Sequence, residues 1–147
     1  MQRTQKGQLF TEVVLEIFKV NGLLATEGDR LTKEYGLSSA RWKVLGALEM
    51  SNIPLTVPQI ARVMGLTRQA VQRLADAMEK DGLLAYQNNP HHKRAKYVVL
   101  TSKGKEIYYM IGEKQIPWAN QNSREINGDE LRTTLSVLQK ITLLLES

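Results

Sequence analysis

Two short amphipathic runs separated by a three-residue break constrain this chain more than any other feature. Val57, Ile60, Ala61 and Met64 recur at i, i+3, i+4 and i+7, and Val71, Leu74, Ala75 and Met78 repeat that spacing beyond Gly65-Leu66-Thr67. Apolar residues at this spacing share one face of a helix, so the stretch predicts two helices meeting at a tight turn. Thr56, with Gln59 three residues on and Pro58 in the first turn, marks the start of the first helix. Gly82 marks the end of the second as a left-handed cap. Such a pair, with a glycine in a turn of three or four residues, is the helix-turn-helix, whose second helix fits the major groove of DNA.

The outward face of the second helix decides whether the pair reads DNA or merely packs. At 100° per residue the apolar set faces one way, while Gln69, Arg73, Asp76 and Lys80 face the other and Arg68 and Gln72 lie on a flank. No acidic residue falls between Thr67 and Ala75. Arginine and glutamine grip guanine and adenine edges bidentately, and Thr67 at the N-cap offers amides and a hydroxyl to a phosphate. The candidate DNA-reading set is therefore Thr67, Arg68, Gln69, Gln72 and Arg73. Because acids begin only at Asp76, the N-terminal half of the helix is the part expected in the groove. Alone, the same residues equally describe a solvated face, with Asp76 and Lys80 as an i, i+4 pair.

The residues after Gly82 separate these two readings. Residues 83–87 and 96–100 are short runs rich in apolar, aromatic and β-branched side chains, divided by Asn88-Asn89-Pro90-His91-His92-Lys93-Arg94-Ala95. They predict a hairpin with a basic tip, which must lean on the helices because two strands are marginal alone. A helix-turn-helix followed at once by such a hairpin is a winged helix-turn-helix. Arg94 is the candidate for minor-groove insertion, with Lys93, His91 and His92 as backbone contacts.

The flanks carry surplus apolar surface. Residues 7–34 place Phe10, Val13, Val14, Ile17, Val20 and Leu24 on one broad helical face, and Gly22 and Gly28 predict a kink or two consecutive helices. Tyr35-Gly36-Leu37 reads as a stop. Ser38 or Ser39 then caps a helix that turns Trp42, Val44, Leu45 and Leu48 inward. Beyond the wing, Thr101-Ser102-Lys103-Gly104 starts a helix carrying Ile107, Met110 and Ile111, which Pro117 should kink. Asn127 with Glu130 announces a last helix placing Leu131, Leu135, Leu138, Ile141 and Leu145 at helical spacing. The expected fold is mainly α with a small β-hairpin wing, an α+β chain.

The basic charge belongs to the middle of the chain. Between Ser38 and Lys105, eleven Lys+Arg stand against four Asp+Glu, +7, whereas the remainder is −2. This favours a polyanionic partner, double-stranded DNA first. With no cysteine, disulfides, thiolate metal sites and thiol-based sensors are excluded. The two histidines, adjacent on the basic tip, suit neither Ser-His catalysis nor a helical HxxxH metal site, so no enzyme, metal or cofactor is expected. A polar N-terminus and the lack of an apolar run of membrane-spanning length make a cytoplasmic location the expectation.

Three strings, LSSARWKVLGAL (37–48), QIARVMGLTRQAVQRLADAMEKDGLL (59–84) and NPHHKRAKYVVLTSKG (89–104), make the chain resemble the MarR family of bacterial transcriptional regulators. The family commonly carries an acid two positions before its wing arginine, where this chain has His92. The resemblance implies dimerisation segments at residues 1–36 and 105–147 around a DNA-binding domain at 37–104. It implies a homodimer on a pseudo-palindromic operator with half-sites one helical turn, roughly 10 base pairs, apart. It also implies repression relieved by a small aromatic or phenolic effector, for which Tyr35, Arg41, Trp42 and Tyr108 are the candidate pocket lining. A winged helix that contacts protein or structured RNA is the alternative of a different class.

Overall fold

The structure, a computed structural model, describes residues 1–146. The chain forms two compact units, the first Met1–Ile111 and the second from Gly112 onward.

The first unit opens with α1 (Gln5–Thr32), capped by the Thr4 side chain, which accepts from the Gly7 amide at 2.9 Å. It is one uninterrupted helix, so of the two alternatives at Gly22 and Gly28 the pair of consecutive helices does not occur. Gly22 has open space beside it, whereas a Cβ on Gly28 would stand 2.7 Å from the Ser39 Oγ and 2.9 Å from the Ser39 Cβ. Gly28 thus serves a close helix approach, and the propensity cost of about 1 kcal/mol is absorbed by a long hydrogen-bond ladder. One 3-10 turn, Lys33–Tyr35, and Gly36 at φ 70° end the helix. Ser38, of the two candidate serines, caps α2 (Ser39–Met50), accepting from the Arg41 amide at 3.2 Å. The Ser39 amide donates to the Asp29 Oδ1 at 2.7 Å, tying the start of α2 to α1.

α2 packs on the predicted pair, α3 (Val57–Met64) and α4 (Arg68–Lys80). Thr56 and Gln59 meet as expected, the Thr56 amide donating to the Gln59 Oε1 at 2.8 Å. Gly65 at φ 67° closes α3, because its left-handed conformation lets the Leu66 amide reach back to the Ala61 carbonyl at 3.0 Å. Gly82 at φ 78° ends α4 in the same way, with Leu83 donating to Met78 at 2.9 Å. Val44, Leu45, Ile60, Val71, Ala75 and Met78 are fully buried in one core, with Val98 of the sheet beside them. Trp42, expected to turn inward, is half-exposed in the first turn of α2; so large a side chain rarely buries all its surface.

The wing is a three-stranded antiparallel sheet in the order β1-β3-β2. β2 (Leu84–Gln87) and β3 (Tyr97–Leu100) are the expected hairpin, in register Tyr86 opposite Val98. β1 (Leu55–Thr56) adds a strand that the sequence did not announce, pairing Leu55 with Val98 and Thr56 with Tyr97. The hairpin therefore has a third strand beside it as well as helices.

α5 (Ser102–Asn122) continues past Pro117 to Asn122, so the proline lies within the helix and does not end it. The second unit also holds α6 (Gly128–Glu146), where the Asp129 amide donates to the Asn127 Oδ1 at 2.7 Å, as its sequence announces. Leu131, Leu135, Leu138 and Leu145 stay exposed on α6, as do Leu9, Phe10, Val13 and Phe18 on α1. Among the described residues no helix is long and apolar enough to cross a membrane.

Candidate nucleic-acid interface

The Thr67 side chain accepts from the Ala70 amide at 3.1 Å and so sets the first turn of α4. Its hydroxyl proton is left free to donate outward. Arg68, Gln69, Gln72 and Arg73 are all exposed on the following two turns, opposite buried Val71 and Ala75. These side chains share one outward stretch, as their spacing demands. Positive charge accumulates there with no acidic residue in the first turn of α4 to oppose it.

Asp76 closes the stretch with a local network. Its Oδ1 accepts from the Gln72 Nε2 at 2.9 Å and from the Tyr86 hydroxyl at 2.6 Å, and the Gln72 Nε2 also donates to the Tyr86 oxygen at 3.0 Å. The Tyr86 hydrogen bond, then that of Gln72, holds the Asp76 carboxyl below the ordinary carboxylate range. Burial first and the Asp76 hydrogen bond next push the Tyr86 phenol above its ordinary value. The Asp76 of an i, i+4 pair is thus a bridge from α4 to β2, the first strand of the hairpin. Strand alternation places Tyr86 beside α4, but no local rule announces the partner it meets there.

The wing tip is built on Asn89. Its Oδ1 accepts from the His91 amide at 2.9 Å, its Nδ2 donates to the Ala95 carbonyl at 3.0 Å, and its own carbonyl accepts from the His92 amide at 3.2 Å. The His92 Nδ1 in turn accepts from the Ala95 amide at 3.2 Å. His92 thus braces the turn, while Lys93 and Arg94 project exposed beside it with His91. Asn89-Pro90 is a turn signal, but its scaffolding role emerges only with the loop closed.

The four candidate pocket residues do not together line any of the cavities formed among the described residues. Tyr35 lines a cavity of about 220 Å³ together with Asp81, Lys103 and Ile107. Arg41 reaches that lining through its ion pair with Asp81, Nη1 to Oδ2 at 2.8 Å, while the Lys103 Nζ donates to the Asp81 carbonyl at 3.0 Å. Tyr108 packs elsewhere, 3.6 Å from the position of a Cβ on Gly46 and edge-on to Tyr109. Trp42 lies half-exposed on α2 and outside that cavity's lining.

Known proteins are similar to this chain in sequence and fold. The MarR family matches residues 35–95. An uncharacterized protein of Mycobacterium tuberculosis is 33% identical over 135 residues, covering 92% of this chain and 93% of its own length. The transcriptional activatory protein BadR of Rhodopseudomonas palustris is 26% identical, covering 76% of this chain and 65% of its own length. Among solved structures, a MarR/EmrR family transcriptional regulator from Acinetobacter sp. ADP1 superposes with a TM-score of 0.82 at 19% identity, covering 94% of this chain and 97% of that one.

Proposed function

The chain belongs to the MarR family of winged helix-turn-helix, DNA-binding transcriptional regulators, which are not enzymes, and from that premise we infer that it represses transcription as a homodimer on a pseudo-palindromic operator. The observation that carries this reading is the common exposure of Arg68, Gln69, Gln72 and Arg73 on the acid-free start of α4. These side chains enter the major groove with Thr67 on a phosphate, while Arg94 enters the minor groove and Lys93, His91 and His92 contact the backbone.

The family binds DNA as dimers. The apolar side chains left exposed on α1 and α6 support residues 1–36 and 105–147 as the dimerising segments, with 37–104 as the reading domain. A two-fold dimer places its reading helices on half-sites about one helical turn apart. Repression follows where the operator overlaps a promoter.

A small aromatic or phenolic effector releases the DNA by favouring a domain spacing that no longer fits both half-sites. The cavity beside Tyr35, at about 220 Å³, is below the usual ligand-pocket size and suits a single-ring compound.

Binding titrations test the DNA reading, using an operator recovered by genome-wide selection and a random duplex. Arg73→Ala weakens operator binding by about 1–3 kcal/mol and random binding little, whereas Arg94→Ala weakens both and lowers the salt slope by about 1. Absence of preference among genomic fragments, or stronger competition by structured RNA than by duplex DNA, ends this reading.

A further inference from the structure

The contact His92 makes at the wing tip fixes its own tautomer. A backbone N–H can only donate, and the Ala95 amide donates to the His92 Nδ1 at 3.2 Å. That nitrogen must carry a lone pair, so the ring is neutral with its proton on Nε2. Turning the ring over would set a C–H against the amide, which determines the orientation as well. The bond closes a turn over Lys93 and Arg94, while the Ala95 carbonyl is held separately by the Asn89 Nδ2 at 3.0 Å. Asn89 also takes the His91 amide on its Oδ1 at 2.9 Å and the His92 amide on its carbonyl at 3.2 Å. Of these four bonds, the one to the His92 ring alone involves a group of the type that titrates between about pH 5 and pH 8.

Protonation turns that contact from attraction to repulsion. An imidazolium carries N–H on both nitrogens, so its Nδ1–H would face the Ala95 N–H, donor against donor. The charged and titratable groups beside it are His91, Lys93, Arg94 and Lys96, all exposed, with Tyr97 half-buried beyond them. No acidic residue lies between Gln87 and Leu100 to take the amide in place of the ring. We propose that His92 is a positioning residue for Arg94, an acceptor that holds the wing tip closed while neutral and releases it when protonated, so that the minor-groove contact of the wing depends on pH. The proposal rests on the reading of Arg94 as a DNA contact. Protonation also adds a charge that phosphate attracts, so total affinity combines two opposite effects. The share of the affinity owed to Arg94 isolates the turn.

Two measurements on the full-length protein test it. Without DNA, long-range proton–nitrogen correlation spectra of the His92 ring at about pH 8 should show a bare Nδ1 and a protonated Nε2; the opposite tautomer overturns the proposal. With a random duplex at fixed ionic strength, Arg94→Ala should weaken binding about tenfold at about pH 8 but about twofold at about pH 5.5, because a freed turn must be ordered again on binding. In a His92→Asn background, where an Oδ1 that does not titrate replaces the Nδ1 as acceptor, the factor should stay near tenfold at both pH values. In a His92→Phe background, with no acceptor, it should stay near twofold at both, and His91→Asn should keep the wild-type change. A wild-type factor equal at the two pH values, or a His92→Asn background as pH-sensitive as wild type, overturns the proposal. Arg94→Ala binding like wild type at about pH 8 instead removes Arg94 from DNA contact, and the proposal with it, while leaving the readers of α4 in place.

Discussion

Replacing Gly104 with alanine should lower the melting temperature although it adds a better helix former. Gly104 is buried in the first turn of α5, where it passes over the entry to β2. A Cβ at that position would overlap the Leu83 carbonyl oxygen and stand 3.2 Å from the carbonyl carbon and 3.3 Å from the Leu100 Cδ2. That carbonyl is not free to swing aside. It accepts from the Thr101 amide at 3.1 Å, and the Thr101 hydroxyl donates to the Gly82 carbonyl at 2.6 Å while accepting from the Gly104 amide at 3.1 Å. Restoring ordinary contact distances moves the helix start by roughly an ångström and disrupts two of these bonds. Overpacking costs about 1–3 kcal/mol and the two hydrogen bonds about 1 kcal/mol each, against a gain of about 1 kcal/mol in helix propensity. The net loss is about 2–4 kcal/mol, equivalent to about 5–15 °C for a chain of this size. Scanning calorimetry at one fixed protein concentration reads it, since association makes melting concentration-dependent. Gly46→Ala is the matched control: a Cβ there meets the Tyr108 ring at 3.6 Å, an ordinary contact, so its stability should hold or rise by up to about 1 kcal/mol. A Gly104→Ala protein melting at or above wild type would refute the close-approach argument.

Two further perturbations address the local networks. Asp76 has its pKa lowered in the fold, so it adds stability above the ordinary carboxylate value that is lost as pH falls through the lowered one. Asp76→Asn should therefore show a smaller stability difference between about pH 7 and about pH 3 in urea denaturation than wild type, and equal differences would count against the bridge. Asn89→Ala releases the His91 amide and the Ala95 carbonyl at the wing tip. Amide exchange at His91 should accelerate and DNA affinity fall about as far as in Arg94→Ala, with melting nearly unchanged because the tip lies outside the core; unaltered exchange would dismiss Asn89 as the scaffold.

The helices and their ends were legible because the rules behind them act between chain neighbours. Val57 to Met64 and Val71 to Met78 declare their buried faces by spacing alone, and Gly65 and Gly82 occupy the left-handed positions their turns require. β1 escaped because Leu55 and Thr56 are too few to form a period, and their partners Val98 and Tyr97 lie far along the chain. Thr56 is both a strand residue and the cap of α3, and only its second role leaves a local signature. At the candidate interface the outward residues followed from the same periodicity. The pairing of Gln72 with Tyr86 did not, since it depends on how β2 returns beside α4. Gly28 carried a true signal that was read another way: it reads as a weak point in a helix, and it is where Ser39 of a second helix comes too close for a side chain.

That crossing makes α1 a lever. Its fulcrum is Gly28 against Ser39, held by the Asp29 hydrogen bond, and the arm from there to Gln5 is about 34 Å at 1.5 Å per residue. A rotation of about 5° at the fulcrum sweeps the far end through about 3 Å, close to the rise of one base step. One methyl group at a buried glycine thus has the mechanical reach of a base pair, which lets substitutions remote from every DNA-facing residue alter the geometry of the molecule in steps of the size that DNA measures.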